Sequence, residues 1–219
     1  MKIGILGAGF IGRAMATLAK QSGHDVMISN SRDPSTLMST AAALGCALGT
    51  AQQAASFGDV VVMAVPFSQI GALPVAALDG KIVIDTCNYY PERDGPIAAL
   101  DERTTTTSQM LAALLPGSKV VKAFNAILAA DLHTDGRPVG APQRRALPFA
   151  GDDAAAKQVV SGLMDQFGFD PVDVGALRDS WRFERAKPVY CVPFDRDGMV
   201  AGLAAAQRDV ELPHGSWRK

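Results

Sequence analysis

Several features that mark whole classes of proteins are scarce in this sequence. Only three of its 219 residues are cysteines. Cys46, Cys87 and Cys191 show no CxxC or Cys/His spacing, which argues against a disulfide framework, predicts no metal site and suits a reducing compartment. Positive and negative charges nearly cancel, with 21 basic and 22 acidic residues. We therefore expect no nucleic-acid partner and no attraction to an anionic membrane.

Long hydrophobic runs are missing as well. No stretch reaches the roughly 18 uncharged apolar residues that a membrane helix requires. The apolar residues 3–11 are interrupted by Gly4, Gly7 and Gly9, a pattern that does not fit a signal peptide. Hydrophobic residues still make up 48% of the sequence, enough for a sizeable core. The sequence thus predicts a globular protein of the cytoplasm with no membrane partner.

Short apolar segments alternate with helical patterns along the chain. This alternation predicts an α/β fold with a Rossmann-type, doubly wound parallel sheet. The predicted strands are Lys2–Leu6, Val26–Ser29, Val60–Val65, Lys81–Asp85, Lys119–Phe124, Arg145–Ala150 and Pro171–Val174. The last two flank a predicted helix with Asp152 as its N-cap and Gly168 just past its end. Its inner face is predicted to carry Val159, Leu163 and Phe167.

The chain is predicted to divide into two parts. Residues 1–175 form the dinucleotide-binding domain, and residues 176–219 form a short helical or irregular extension. The extension has apolar residues that could cover a second copy of the chain, which predicts a homodimer. These residues are Val189, Tyr190, Val192, Phe194, Met199, Val200 and Leu203.

A glycine-rich turn follows the first predicted strand and opens a helix. Its sequence is Gly7-Ala8-Gly9-Phe10-Ile11-Gly12, the GxGxxG spacing. The first glycine permits a tight turn, the second lets a pyrophosphate approach the backbone, and the third lets the helix pack close to the strand. The amides and the dipole at the helix start then favour an anion. Because strand, turn, helix and second strand lie within the first 30 residues, the motif predicts dinucleotide binding.

The residues after the second strand indicate which dinucleotide. NAD-binding members carry an acidic residue there, whereas this chain has Asn30-Ser31-Arg32. A guanidinium pairs with phosphate oxygens, and a serine can donate a further hydrogen bond. The segment therefore favours NADP(H) over NAD. The alternative is a plain polar loop in which Asp33 is the salt partner of Arg32.

A second group of residues follows the next three strands, at the edge of a parallel sheet where ligands bind. Pro66 and Phe67 are predicted to form an apolar wall beside the nicotinamide, and Asn88 and Asn125 to supply hydrogen bonds. Taken singly, each residue fits an ordinary loop or capping role better than a role at the nicotinamide. The three segments are Ala64-Val65-Pro66-Phe67, Asp85-Thr86-Cys87-Asn88 and Lys122-Ala123-Phe124-Asn125.

Several segments together resemble a known family. GILGAGFIGRAMATLA, ISNSR, VVMAVPF, VIDTCNYY and VVKAFNAILAADL are similar to the NADP-dependent reductases of the deazaflavin coenzyme F-420. The cytosolic oxidoreductase domain of the STEAP metalloreductases is similar too. The resemblance covers roughly Lys2 to Leu177, and VVKAFN is its most specific element. It implies hydride transfer between NADPH and a flavin-like or deazaflavin ring, a small-molecule acceptor.

The resemblance also implies roles for individual residues. Gly7, Gly9 and Gly12 would contact the pyrophosphate, and Ser31 and Arg32 the 2′-phosphate. The remaining residues implied or predicted at the cofactor are Ala8, Phe10, Ile11, Asn30, Ala64, Val65, Pro66, Asn88, Ala123, Asn125 and Ile127, of which Asn125 and Ile127 would lie at the second ring.

The chain departs from the family at particular positions. The reductases often carry histidine where this chain has Asn125 and proline where it has Leu128. After Leu177 the match fades, and Trp181, Arg182 and Arg185 stand where an apolar closing helix is expected.

Three functions remain open from the sequence. Hydride transfer to a flavin-like ring needs little acid–base help, whereas carbonyl reduction needs a proton donor. The catalytic candidates are Asn125, Lys122 and His133, and the tyrosines Tyr89 and Tyr90 are further proton donors. Lys122 could line a pocket or lie at an exposed strand edge. The alternatives are a small hydroxyacid or imine dehydrogenase and a non-catalytic NADP-binding sensor.

Overall fold

A computed structural model describes residues 1–213 and 215 of the chain. In this part eight strands form one sheet in the order β3-β2-β1-β4-β5-β6-β7-β8. The strands are β1 Lys2–Leu6, β2 Asp25–Ser29, β3 Ala47–Leu48, β4 Val60–Met63, β5 Ile82–Asp85, β6 Lys119–Ala123, β7 Ala146–Gly151 and β8 Asp170–Asp173. All predicted strands are present within two residues of their predicted ends. The two-residue strand β3 is an addition that sequence periodicity could not show.

The strand order creates a switch point beside β1. The chain adds β2 and β3 on one side of β1 and then returns to add β4 on the other side, and these pairs are parallel. The carboxyl ends of β1 and β4 therefore border a crevice, the usual ligand position in a doubly wound sheet. The Rossmann-type α/β fold is thus confirmed.

Two strands, β7 and β8, correct the expectation of a parallel sheet. Strand β7 runs antiparallel to β6, while β8 is parallel to β7. A buried strand has the same apolar pattern in either direction, so the sequence did not reveal this reversal.

Ten α-helices and three 3₁₀ helices accompany the sheet in the described part of the chain. The α-helices are α1 Phe10–Gln21, α2 Met38–Leu44, α3 Ala51–Phe57, α4 Val75–Leu78, α5 Pro91–Asp94, α6 Ala98–Asp101, α7 Thr107–Leu114, α8 Ala129–Thr134, α9 Ala154–Gln166 and α10 Arg196–Ala205. The 3₁₀ helices are Pro34–Leu37, Phe67–Ala72 and Leu177–Phe183. Among the described residues, none of the helices has the length and apolar character needed to cross a membrane.

Helix α9 differs from its predicted details. Its N-cap is Asp153, whose carboxylate accepts a hydrogen bond from the Ala156 amide at 2.7 Å. Asp152 instead accepts from the Leu177 amide at 2.9 Å, and this bond joins the sheet to the extension. Val160 is buried on the inner face, whereas Val159 is only partly buried.

The extension packs on the sheet through a shared apolar cluster. Phe183, Val189 and Met199 are each fully buried there. The sheet contributes Ala146, Ala150 and Val172, and the other buried members are Ala126, Tyr190, Cys191 and Leu203. Most of the apolar residues predicted to cover a second copy are therefore buried within the chain itself. Val200 remains exposed. Residues 214 and 216–219 of the predicted extension lie outside the described residues.

Candidate functional site

The three motif glycines meet three different local requirements. Gly7 has a backbone φ of 106°, and a Cβ there would overlap the carbonyl oxygen of Ala64. A Cβ on Gly12 would overlap the carbonyl oxygen of Gly7, because helix α1 packs tightly on the turn. Gly9 has nothing within 4 Å of the position of a Cβ. It is also the N-cap of α1 and makes no side-chain cap bond. The turn therefore leaves open space beside unpaired helix amides, which suits a pyrophosphate.

The loop after β2 presents an exposed arginine. The Asn30 carboxamide accepts from the Arg32 amide at 3.0 Å and donates to the Thr36 hydroxyl at 3.0 Å, so it fixes the loop. Ser31 and Arg32 are exposed.

Asp33 does not serve as the salt partner of Arg32. Its carboxylate accepts from the Ser35 amide at 2.8 Å and caps the 3₁₀ helix that begins at Pro34. Hydrogen bonds from Ser35 lower the pKa of Asp33. Among residues 1–213 and 215, Arg32 forms no salt bridge. The structure therefore does not show the alternative of a polar loop in which Asp33 pairs with Arg32.

A buried polar network joins the ends of β5 and β6. The Lys122 side chain is fully buried, which corrects the alternative of an exposed strand edge. Its ammonium donates to the Asp85 carboxylate at 3.2 Å, the Thr107 hydroxyl at 2.8 Å and the Cys87 carbonyl at 2.5 Å. Asp85 also accepts from the Ser108 hydroxyl at 2.6 Å and from the Cys87 amide at 2.9 Å. Both polar groups of the Cys87 backbone are thereby fixed.

The sequence reasoning missed this network, although a signal for it was present. Lys122 interrupts the apolar run VVKAF, and Asp85 ends the apolar run IVID. A charge inside a buried strand requires an opposite charge nearby, so these two residues on separate strands were candidates to pair. Thr107 and Ser108, at the start of α7, carried no comparable signal.

Cys87 supports the site without acting as a nucleophile. Its thiol donates to the Val65 carbonyl at 3.0 Å, which ties the end of β4 to the end of β5. Burial raises the pKa of the Cys87 thiol well above its usual value, and the charge of Asp85 raises it further. The thiol therefore stays protonated at neutral pH and unreactive.

Asn88 and Asn125 face each other across the ends of β5 and β6. Asn88 donates to the Asn125 carbonyl at 3.0 Å, and Asn125 donates to the Asn88 side-chain oxygen at 3.1 Å. Asn125 also donates to the Phe183 carbonyl at 3.0 Å. Because the backbone carbonyls can only accept, these bonds fix the orientation of both side-chain amides.

This arrangement leaves one acceptor of Asn125 unused. Its side-chain oxygen is buried and has no hydrogen-bond partner. A buried polar atom without a partner costs about 1–3 kcal/mol. Phe124, just before it, has a backbone φ of 59°, which a bulky residue rarely adopts. The Phe124 ring packs against Phe167 with ring centroids 5.9 Å apart, and this contact secures the turn.

The other residues predicted at the site lie in different environments. Ala8, Ile11, Ala64 and Val65 are half-buried, and Phe10 and Pro66 are exposed. Phe67 is 1% exposed and belongs to the core, so it does not form the predicted apolar wall. Ala123 and Ile127 are buried core residues.

The remaining proton-donor candidates are dispersed. His133 is exposed on α8. The Tyr89 hydroxyl donates to the Asp101 carboxylate at 2.9 Å, and the Tyr90 and Tyr190 hydroxyls are hydrogen-bonded to each other at 2.5 Å.

Comparisons with known proteins agree with the fold. Residues 2–89 match the family model described as NADP oxidoreductase, coenzyme F420-dependent. The solved structure of the hypothetical protein SMa0349 from Sinorhizobium meliloti is 31% identical, with a TM-score of 0.77 over 90% of this chain and 96% of that one. A candidate F420-dependent NADP reductase from Arthrobacter sp. FB24 is 28% identical, with a TM-score of 0.67 over 81% of this chain and 86% of its own. The metalloreductase STEAP3 of Rattus norvegicus is 32% identical over 194 residues.

In fold and sequence the chain is therefore similar to proteins described as NADP oxidoreductases. The match to the model of the coenzyme F420-dependent NADP oxidoreductase family lies in the first strands and helices of the chain. The aligned residues are 88% of this chain but only 37% of STEAP3.

Proposed function

We propose that this protein transfers hydride between NADP(H) and a flavin-like or deazaflavin acceptor. Support comes from the family and from the chemistry at the ends of β5 and β6. The observation that carries the proposal is the Asn88–Asn125 pair, which places amide groups at the ends of β5 and β6. Of the ionisable candidates, Lys122, Tyr89 and Tyr90 are hydrogen-bonded within the chain, and His133 lies exposed on α8. The buried Lys122 ammonium donates hydrogen bonds to three oxygens of the chain. Burial raises the pKa of the Cys87 thiol and keeps it protonated. Such a site suits hydride transfer better than carbonyl reduction, which needs a positioned proton donor.

The residues present fit the dinucleotide. Gly9 offers the space for a pyrophosphate, and Gly7 and Gly12 shape the turn around it. Arg32 and Ser31 would bind the 2′-phosphate, with Asn30 fixing their loop. When bound, NADPH supplies the hydride from its nicotinamide ring.

The chain orients the reacting groups rather than exchanging protons with them. The unused side-chain oxygen of Asn125 would accept a hydrogen bond from the amide of the nicotinamide. Asn88 fixes Asn125, and Lys122 and Asp85 in turn fix the backbone one residue before Asn88. Val65 and Pro66 would exclude water from the opposite side of the crevice.

An acceptor panel tests the proposal. Anaerobic NADPH oxidation is measured with flavins, a deazaflavin, quinones and ferric chelates, alongside hydroxyacid, carbonyl and imine substrates. We expect turnover with the flavin-type rings. Turnover with carbonyl or imine substrates alone would assign a dehydrogenase instead, and NADPH binding without any turnover would assign a sensor.

A further inference from the structure

A cavity of about 390 Å³ lies between the loop after β5 and the extension. Tyr89 and Thr107 line it on the side of the sheet, and Trp181, Glu184, Lys187 and Arg208 line it on the side of the extension. None of its lining residues belongs to the set predicted to contact the dinucleotide. The extension residues also follow Leu177, where the resemblance to the family fades.

The cavity begins one residue away from the asparagine pair. Tyr89 follows Asn88 in the chain, and Glu184 follows Phe183, whose carbonyl accepts from Asn125. The cavity wall is thus built from residues next in the chain to Asn88 and to the partner of Asn125.

The acidic groups in the cavity wall are already engaged by the chain. Glu184 accepts from the Thr107 amide at 3.2 Å and from the Thr107 hydroxyl at 2.8 Å. Asp101 accepts from Tyr89, and Glu211 pairs with Arg103 at 3.1 Å.

Two basic groups in the wall are not paired directly with a carboxylate. Among the described residues, neither Lys187 nor Arg208 forms a salt bridge. Lys187 is 7% exposed, and its ammonium donates to three backbone carbonyls at 2.8–2.9 Å, those of residues 207, 208 and 210. Its hydrogen bonds are thus satisfied by neutral carbonyls, and the carboxylates of Glu211, Glu184 and Asp209 act on its charge from beyond salt-bridge distance. Arg208 uses its Nε on the Arg103 carbonyl at 3.0 Å. The terminal nitrogens of Arg208 remain available as donors.

These charges surround an aromatic ring. The Trp181 ring lies in the cavity wall with the Arg182 guanidinium 4.6 Å from its centroid and the Lys187 ammonium and Arg208 guanidinium each 5.7 Å from it. Indole and guanidinium planes both stack on conjugated rings, and a guanidinium also binds phosphate and carboxylate oxygens.

We propose that this cavity binds the non-reacting part of the hydride acceptor, and that this part carries a phosphate or carboxylate. The inference rests on the proposed function, because it places the acceptor's reactive ring at the asparagine pair. Arg208 donates to the anion, Lys187 adds positive charge, and Trp181 supplies an aromatic wall beside them. Binding energy from this remote contact lowers KM for acceptors that have the anionic arm.

Riboflavin and flavin mononucleotide test the inference, since they share one ring and differ by a phosphate. We expect wild type to bind flavin mononucleotide about tenfold more tightly or better, as measured by quenching of flavin fluorescence and as KM in NADPH turnover. Arg208→Gln should remove most of this preference and leave riboflavin and NADPH binding unchanged. Arg178→Gln, an exposed arginine of the extension outside the cavity, is the matched control and should keep the preference.

The outcomes separate the two proposals. Equal binding of both flavins by wild type overturns the cavity assignment, whether or not NADPH reduces them. A preference that survives Arg208→Gln also overturns it. A preference that disappears only in Arg208→Gln supports the cavity even if turnover is absent, in which case the hydride-transfer proposal fails alone. Thermal unfolding of each variant checks that the fold is intact.

Discussion

At the scale of single residues, one sequence motif contains glycines with distinct physical roles. Gly7 and Gly12 are required by the fold, because any side chain there overlaps backbone atoms. Gly9 has an extended backbone, φ −72° and ψ −169°, that every residue can adopt. Its side chain would project into open space. The fold therefore does not require glycine at this position, and we propose that the bound pyrophosphate does.

Replacing Gly9 tests this division. We expect Gly9→Val to abolish or strongly weaken NADPH binding while thermal stability stays near that of wild type, because the new side chain fills the pyrophosphate space only. Gly12→Ala is the control and should lower stability, since its Cβ overlaps the Gly7 carbonyl. Calorimetric titration and thermal unfolding give both readouts. Unchanged NADPH affinity in a folded Gly9→Val protein would remove the pyrophosphate assignment.

Residue environments were only partly predictable from the sequence. The sequence left Lys122 either in a pocket or at an exposed edge, because its partner Asp85 lies 37 residues earlier and their proximity depends on strand pairing. The unused oxygen of Asn125 was also invisible, since it results from the Phe183 carbonyl of the extension. The motif glycines were recognisable because the GxGxxG spacing itself determines the shape of the turn and the start of the helix.

At the scale of secondary-structure elements, the ends of β5 and β6 form the rigid part of the site. Lys122 on β6 joins Asp85 on β5 and Thr107 at the start of α7. Replacing Lys122 by methionine leaves the Asp85 carboxylate buried without a counter-charge. We expect Lys122→Met to lower the free energy of unfolding by about 3–5 kcal/mol.

Lys119→Met gives a matched control in the same strand. Lys119 is half-exposed and its nearest carboxylate, on Asp153, is 3.6 Å away, so its loss should change stability little. Urea denaturation of both variants measures the difference. Similar small losses for the two would contradict the role assigned to the buried pair.

Element boundaries were predicted better than element direction. The apolar runs indicated seven of the eight strands, because buried strands of this length are continuous in sequence. Strand β3 has two residues and no periodicity to detect. The reversal of β7 and the shift of the α9 cap from Asp152 to Asp153 depend on how the chain returns to the sheet, which a local pattern does not specify.

At the scale of the whole molecule, the extension completes the core. Phe183 is fully buried among residues of β7 and α10, and its carbonyl accepts a hydrogen bond from the Asn125 side chain at the site. We expect Phe183→Ala to cost about 3–5 kcal/mol and unfolding to remain a single transition, because sheet and extension share one cluster. Val200→Ala, on the exposed side of α10, should be close to neutral. A separate early transition in Phe183→Ala would contradict a shared core.

The homodimer stays a prediction. The apolar residues that suggested it are mostly buried within the chain, so a dimer would need another surface. Light scattering decides the matter: twice the 23.0 kDa of one chain supports a homodimer, and 23.0 kDa contradicts it.

The most direct test of the account is the cofactor preference of an Arg32 variant. Arg32 is exposed and forms no salt bridge among the described residues, so its guanidinium is free to pair with the 2′-phosphate. We expect Arg32→Ala to weaken NADPH binding about ten- to a hundredfold and to leave NADH binding nearly unchanged. Parallel calorimetric titrations of both cofactors with wild type and variant measure this. Equal losses for NADPH and NADH would mean that Arg32 serves the loop alone, and the assignment of an NADP site to this chain would be contradicted.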